Sequence, residues 1–330
     1  GEGELEIGAG AANVKTIVGQ IGVHATRLKI VDINTASKFT GAVYADAITV
    51  DAAADATFDS DVFGTTMTID TSAGSVILKG NATVAISQTE TNNVIAYSGA
   101  GNQTQTGAIT SIADGDGNVT NTNTGGTVTF ANKIGVAAAN KIALFTSAAS
   151  SKTKFEAEVA ADLITLAGTL TFSLDENDIE DINGAATSVI ILEKTILADQ
   201  NVFDNIVTGY DLLAGSKIYA PVNLKSGTKL VLFDGANGAA DEAAAVVLAN
   251  AAVVDSILID YTVTADATND ESDLNATAKS ASVTATEAGI TINNATALHQ
   301  AYLAAINDSV ADDGAEEAFE DALLNSAGTY

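Results

Sequence analysis

The chain has 330 residues, 42 acidic against 14 basic, a net charge of −28 and no cysteine. That balance excludes nucleic-acid binding, which needs a basic stripe to displace counter-ions, and it disfavours anionic membrane surfaces. It also excludes thiol chemistry, and no run of 18 apolar residues offers a membrane-spanning helix.

The length is enough to bury a core in one long domain or two ordinary ones. Hydrophobic residues make up 47%, but aromatics only 5%, so Ala, Val, Thr, Gly, Asn, Asp and Ser carry the pattern. Such small side chains suit short strands with frequent turns. The partners that fit the charge are divalent cations, basic surfaces, or further copies of the chain bridged by cations. The absence of cysteine fits a bacterial exported protein. A start at Gly1, without Met or signal peptide, is expected of a piece either processed naturally or excised from a longer precursor.

In chain order, residues 1–24 are punctuated by glycine. Short apolar runs follow at 28–31, 42–44, 48–50, 57–58, 67–69, 76–78 and 84–86, and from Ile48 they recur about every nine residues. Short strands at regular spacing mean a sandwich, a barrel or a solenoid. No Asn-Gly hairpin signal occurs between 25 and 86, so the strands are expected to pair in parallel. Two runs then make a repeat of about 18–20 residues, the scale of one solenoid rung. Stacked Asn and Thr can form ladders along such a stack. An array of β-sandwich domains is the alternative.

Residues 87–130 are the most polar stretch and read as long loops or ragged rungs projecting from the stack. Residues 131–290 read as a second β region containing two similar units. Lys141 to Phe145 (KIALF) matches Lys229 to Phe233 (KLVLF), and 170–174 matches 259–263. Strand period two expects Ile142/Leu230, Leu144/Leu232, Phe172/Tyr261 and Leu174/Val263 to face one core, with Phe145 and Phe233 on the other face. The only proline, Pro221, stands at the entry to the second unit. Past Ile292 the period becomes helical: Leu298, Tyr302, Leu303 and Ile306 share one face, and Asp313 with Glu316 resembles a capping box. Residues 291–330 are therefore expected to form an α-helical tail.

The segments GTKLVLFDGANG (227–238) and ILIDYTVTADATNDESDLNATAKS (257–280), followed by the Ala-rich tail at 295–327, resemble the passenger region of type V autotransporters. The likeness is to the rickettsial outer-membrane surface-antigen group, and it covers mainly 221–330 with a weaker echo in 131–180. It implies a right-handed parallel β-helix closed near its C-terminal end, at the bacterial surface, in a surface layer or an adhesin. The amphipathic strands of a translocator barrel are not in this sequence, so the resemblance is to the passenger alone.

Little in the sequence points to catalysis. His24 and His299 neighbour no nucleophile motif, and HExxH, Walker A and strand-borne GxGxxG motifs are missing. A β-helix enzyme acting on polysaccharide is a rival reading, but its clustered carboxylates and basic residue are not evident with Arg27 as the one arginine. Two oxygen-rich clusters are candidate calcium ligands: Asp114, Asp116 and Asn118, and Asp175, Asn177 and Asp178. The first starts like a calcium loop, but Gly125 stands where the bidentate Glu of an EF-hand belongs. The reading is thus a non-enzymatic, extracellular β-solenoid of the bacterial surface that associates with copies of itself, with an adhesin as the alternative.

Overall fold

The computed structural model describes residues 2–8, 14–51, 55–70, 74–137, 139–193, 195–206, 209–221, 224, 227–235, 252–255, 259–266 and 271–278. The expected helical tail at 291–330 and the Ala-rich segment after Gly235 lie outside them. The described residues are all-β.

The chain lays down one strand in each of two sheets per turn. β1 (Glu4–Ile7) and β2 (Lys15–Ile17) make the first rung, followed by β3 (Leu28–Ile33) with β4 (Ser37–Phe39), and β5 (Val43–Val50) with β6 (Ala56–Phe58). Next come β7 (Val62–Ile69) with β8 (Ser75–Leu78), β9 (Ala82–Gln88) with β10 (Val94–Tyr97), and β11 (Gln103–Gln105) and β12 (Ile109–Ser111) with β13 (Asp116–Asn121). The stack continues through β14 (Thr127–Phe130) with β15 (Ile142–Ser147), β16 (Lys152–Phe155) with β17 (Ala160–Leu166), and β18 (Thr169–Phe172) with β19 (Asn177–Gly184). It then runs through β20 (Val189–Leu192) with β21 (Asn201–Ile206) and β22 (Gly209–Leu212), and β23 (Lys217–Tyr219) with β24 (Lys229–Gly235). β25 (Val253–Val254), β26 (Ile259–Asp266) and β27 (Glu271–Ala278) complete it. Among the described residues one sheet holds 13 strands and the other 14. Every pairing between these described strands is parallel until β24, which pairs antiparallel with β27, itself in an antiparallel hairpin with β26. This is the architecture of a β-solenoid, and parallel pairing between 25 and 86 rules out the sandwich array.

Register shows the repeat directly. Phe39 pairs with Phe58, Phe58 with Leu78 and Leu78 with Tyr97, steps of 19, 20 and 19 residues. Tyr97 pairs with Asn121 and Asn121 with Ser147, steps of 24 and 26; the next two, to Leu166 and Gly184, are 19 and 18. The polar stretch 87–130 thus forms rungs of the stack, lengthened in their turns.

Most strands alternate buried and part-exposed residues, as one-sided burial requires. The alternation breaks where a strand turns a corner, at Asp46 and Ala47 in β5, and in register at Leu144, Leu163 and Asp181. Inward residues of both sheets form one core. Large rings stack along it: Phe39 on Phe58 at 4.8 Å and 6° in the second sheet, and Phe130 on Phe155 at 5.6 Å in the first. Phe145 bridges the sheets, 5.8 Å from Phe130 and 5.1 Å from Phe155, and Phe172 meets Phe203 at 5.0 Å.

The polar stretch puts amides into this core. Gln88, Asn93, Gln103, Gln105, Asn121 and Asn123 are all buried. Gln103 donates from Nε2 to the carbonyls of Leu78 and Gly80, while its Oε1 accepts from the Gly99 amide and Asn123 Nδ2. Tyr97 donates its hydroxyl to Gln105 Oε1 at 2.9 Å. The longer turns expose backbone groups to the interior, and these amides satisfy them. Outside, Asp61, Asn81 and Asn102 each accept a backbone N–H from the next rung.

The two-unit expectation fails in part. β15 and β24 both lie in the second sheet, and Phe145 and Phe233 are buried, but in the core and not on the opposite face. Leu144 is only half-buried and Leu174 is exposed, whereas Leu230 and Leu232 are both buried. β18 belongs to the parallel first sheet and β26 to the antiparallel end of the second, so 170–174 and 259–263 occupy unrelated places. The corner at Ala143 and Leu144 shifts the period, which strand alternation alone does not anticipate.

Phe145→Ala and Phe155→Ala should each lower unfolding free energy by about 3–5 kcal/mol in denaturant titration. Ile112→Ala, at a residue 58% exposed, should change it by under about 0.5 kcal/mol. Equal stability of the Phe145 and Ile112 variants would contradict the core placement.

Candidate functional site

One cluster of titratable side chains lies on the second sheet, where β17, β19, β21 and β24 run side by side. Ala160 pairs with Asp178, and Asp178 with Asp204. Phe203 pairs with Phe233, which sets Asp234 beside Asp204. Parallel register therefore stacks three carboxylates at consecutive rungs, about 4.8 Å apart. Asp162 and Glu180 form a second pair, between the partnered positions Ala161–Ile179 and Leu163–Asp181.

Lys141 closes the upper end. It precedes Ile142, which pairs with Ala161, so it stands one rung above Ala160. Alanine there leaves room for the lysine to reach the next rung. Its Nζ lies 3.2 Å from Asp178 Oδ1 and 2.5 Å from Glu180 Oε1. The lysine and Asp178 are both buried. Burial opposes the lysine's charge, but hydrogen bonds and attraction from Glu180 and Asp178 win, and its pKa is raised. Burial pushes Asp162 up, helped by repulsion from Glu180 and Asp114 and opposed by Lys141. Burial also pushes Asp204 up to about 6, reinforced by Asp234, Glu176 and Asp178 and partly offset by a hydrogen bond from Asn201. Asn201 also donates from Nδ2 to Asp234 Oδ2 at 3.0 Å.

The six proposed calcium ligands lie in two places, Asp114, Asp116 and Asn118 at the turn into β13 and Asp175, Asn177 and Asp178 at the start of β19. Gly115 and Gly117 have φ of 74° and 75°, and a Cβ on Gly117 would lie 2.5 Å from the Gln88 side chain. The turn is thus folded onto the stack. Asp114 Oδ1 accepts the Lys141 amide N–H, Asp116 Oδ1 accepts the Thr91 hydroxyl, and Asn118 Nδ2 donates to the carbonyls of Thr91 and Asn93. Asn177 is buried with its amide engaged throughout: Nδ2 donates to the carbonyls of Leu174 and Val202, and Oδ1 accepts the Val159 N–H. Asp178 holds Lys141, and Asp175 is half-buried in the turn before β19. Among the described residues no group of three His, Cys, Asp or Glu side chains is arranged to hold a metal. One member of each cluster, Asp114 and Asp178, does meet the same lysine. Lys141, Asp162 and Asp204 carry no motif; their only signal is rung spacing, since 141, 160, 178 and 204 are successive positions of one column and 162 and 180 of another.

No known protein family, curated protein or solved structure matches this chain.

Lys141→Met leaves buried Asp178 without its cation and should destabilise the fold by up to about 3–5 kcal/mol, partly recovered by adding Asp178→Asn. No loss in the single variant would show the pair to be dispensable. For Asp204 the folded pKa lies above the ordinary carboxylate value. Its contribution is fully present below about pH 4 and is lost as pH rises through about 6. Asp204→Asn should flatten the fall in stability between pH 4 and 7, with a gain of about 1 kcal/mol at pH 7 after allowance for solvent screening. Parallel pH profiles for variant and wild type would refute the assignment.

Proposed function

We propose that this chain is a structural element of a bacterial cell surface, a right-handed β-solenoid rod like an autotransporter passenger, which builds a layer or filament by sideways self-association. The observation that carries the reading is the unbroken parallel stack from β1 to β24. Such a stack makes a stiff spacer with the same features repeated at every rung. The right-handed sense follows the rule for parallel crossovers, and the cell-surface location rests on the sequence resemblance. The adhesin reading rests on loops projecting from 87–130; those residues form rungs with Gln103 and Gln105 turned inward, which favours the structural reading. No catalytic step belongs to the proposal.

A net charge of −28 opposes the approach of copies, and simple salt screens over about 8 Å at physiological strength. Divalent cations should therefore promote assembly more than sodium at equal ionic strength. Negative-stain imaging and sedimentation of the purified chain should show filaments or sheets with millimolar Ca²⁺, reversed by EDTA. Monodisperse particles at every salt and cation concentration would overturn self-association, and assemblies indifferent to EDTA at low salt would overturn cation dependence.

A further inference from the structure

The sheet faces of the rungs from β14 to β23 differ in chemistry. In the first sheet the outward positions form two columns by register. One runs Thr127, Lys152, Thr169, Val189, Lys217, and the other Thr129, Lys154, Thr171, Ile191, Tyr219. None of these ten positions is acidic, in a chain with 42 acidic residues. Lys152 and Lys217 are exposed, and neither forms an ion pair with a described residue. Tyr219 is 37% exposed. Lys154 is held at the margin by Glu156 and Glu193, at 3.4 and 3.1 Å.

The second sheet of the same rungs carries Asp162, Glu180 and Asp181 together with the column through Asp204. The cation buried among them, Lys141, serves Asp178 and Glu180. Inward rings from both sheets meet in one core, so the two outer faces point away from each other. The rod is therefore lysine-bearing and part-apolar on one side and carboxylate-rich on the other, over the same rungs.

We propose that the outer face of β14, β16, β18, β20 and β23 is a docking surface for a second copy of this chain, which presents the carboxylate-bearing outer face of its second sheet. The proposal rests on the self-association reading and names its surfaces. Charge complementarity selects the occupant: Lys152 and Lys217 meet carboxylates, while Val189, Ile191 and Tyr219 lose water between them. Both faces repeat with the same rung spacing of about 4.8 Å, so sideways translation without rotation brings one onto the other. Such a contact is heterologous and does not close, and it continues from copy to copy. Strand spacing and rise give the face roughly 300 Å² per copy, well below the roughly 800 Å² of a stable pair. Single contacts are thus weak and reversible, and they accumulate in an array.

The test uses two charge-reversed variants of the full chain, K152E/K217E and D162K/D181K, each checked for wild-type circular dichroism and melting. Each alone sets like charges against like and should raise the critical concentration for assembly at least tenfold. An equimolar mixture pairs opposite faces again and should assemble near the wild-type concentration. If K152E/K217E assembles like wild type, or if the mixture fails to recover assembly, the docking surface is wrong while self-association stands. If wild type itself never assembles, with or without Ca²⁺, the self-association reading fails and the docking surface with it.

Discussion

In a parallel in-register stack, every inward side chain lies directly above and below its counterparts, about 4.8 Å away. Neighbouring positions therefore pack best where they match in size and chemistry, or where a polar network replaces the match. Phe39, Phe58, Leu78 and Tyr97 satisfy this in one column, and Phe130, Phe155, Phe172 and Leu192 in another. A chain with 5% aromatic residues fills its core because the few large rings share columns. Between them Ala, Val and Ile suffice, since neighbouring rungs close the remaining space.

The same constraint explains the polar middle. Rungs of 24 and 26 residues carry turns too long for the narrow apolar cross-section. Their backbone groups point inward, and the core there changes from hydrocarbon to amide. Gln103 donates to the Leu78 and Gly80 carbonyls of the preceding rung and accepts from the Gly99 N–H of its own rung and from Asn123 of the next, so one side chain ties three rungs together. Fully satisfied networks of this kind fix register where apolar packing is less selective.

Stacking applies equally to charge. Outward carboxylates at one strand position repel across each rung, by about 1 kcal/mol at 4 Å in water and more where water is excluded. The column through Asp178, Asp204 and Asp234 persists because Lys141 neutralises one end, Asn201 donates at the other, and Asp204 retains a proton up to about pH 6. Register thus gives the rod a persistent acidic side, with lysine and apolar residues of the first sheet opposite. Such sidedness suits contacts repeated laterally.

The sequence alone determined the parts governed by local periodicity: short strands, small-residue turns, parallel pairing without hairpin signals, and a repeat of 18–20 residues. Those features reside in a few consecutive residues and in the distances between runs. Tertiary structure decided whatever depends on register between distant rungs. Gln103 and Asn121 carry no hydrophobic signature, so their inward orientation follows only from the buried backbone they serve. Phe145 faces the core because the strand turns at Ala143 and Leu144, a corner that alternation cannot place. Lys141 and Asp178 are 37 residues apart and meet because a single rung lies between them and offers Ala160 there. The antiparallel ending at β26 and β27 is likewise set by long-range pairing, since a strand's partner is chosen by the sum of contacts across the sheet and not by its own residues.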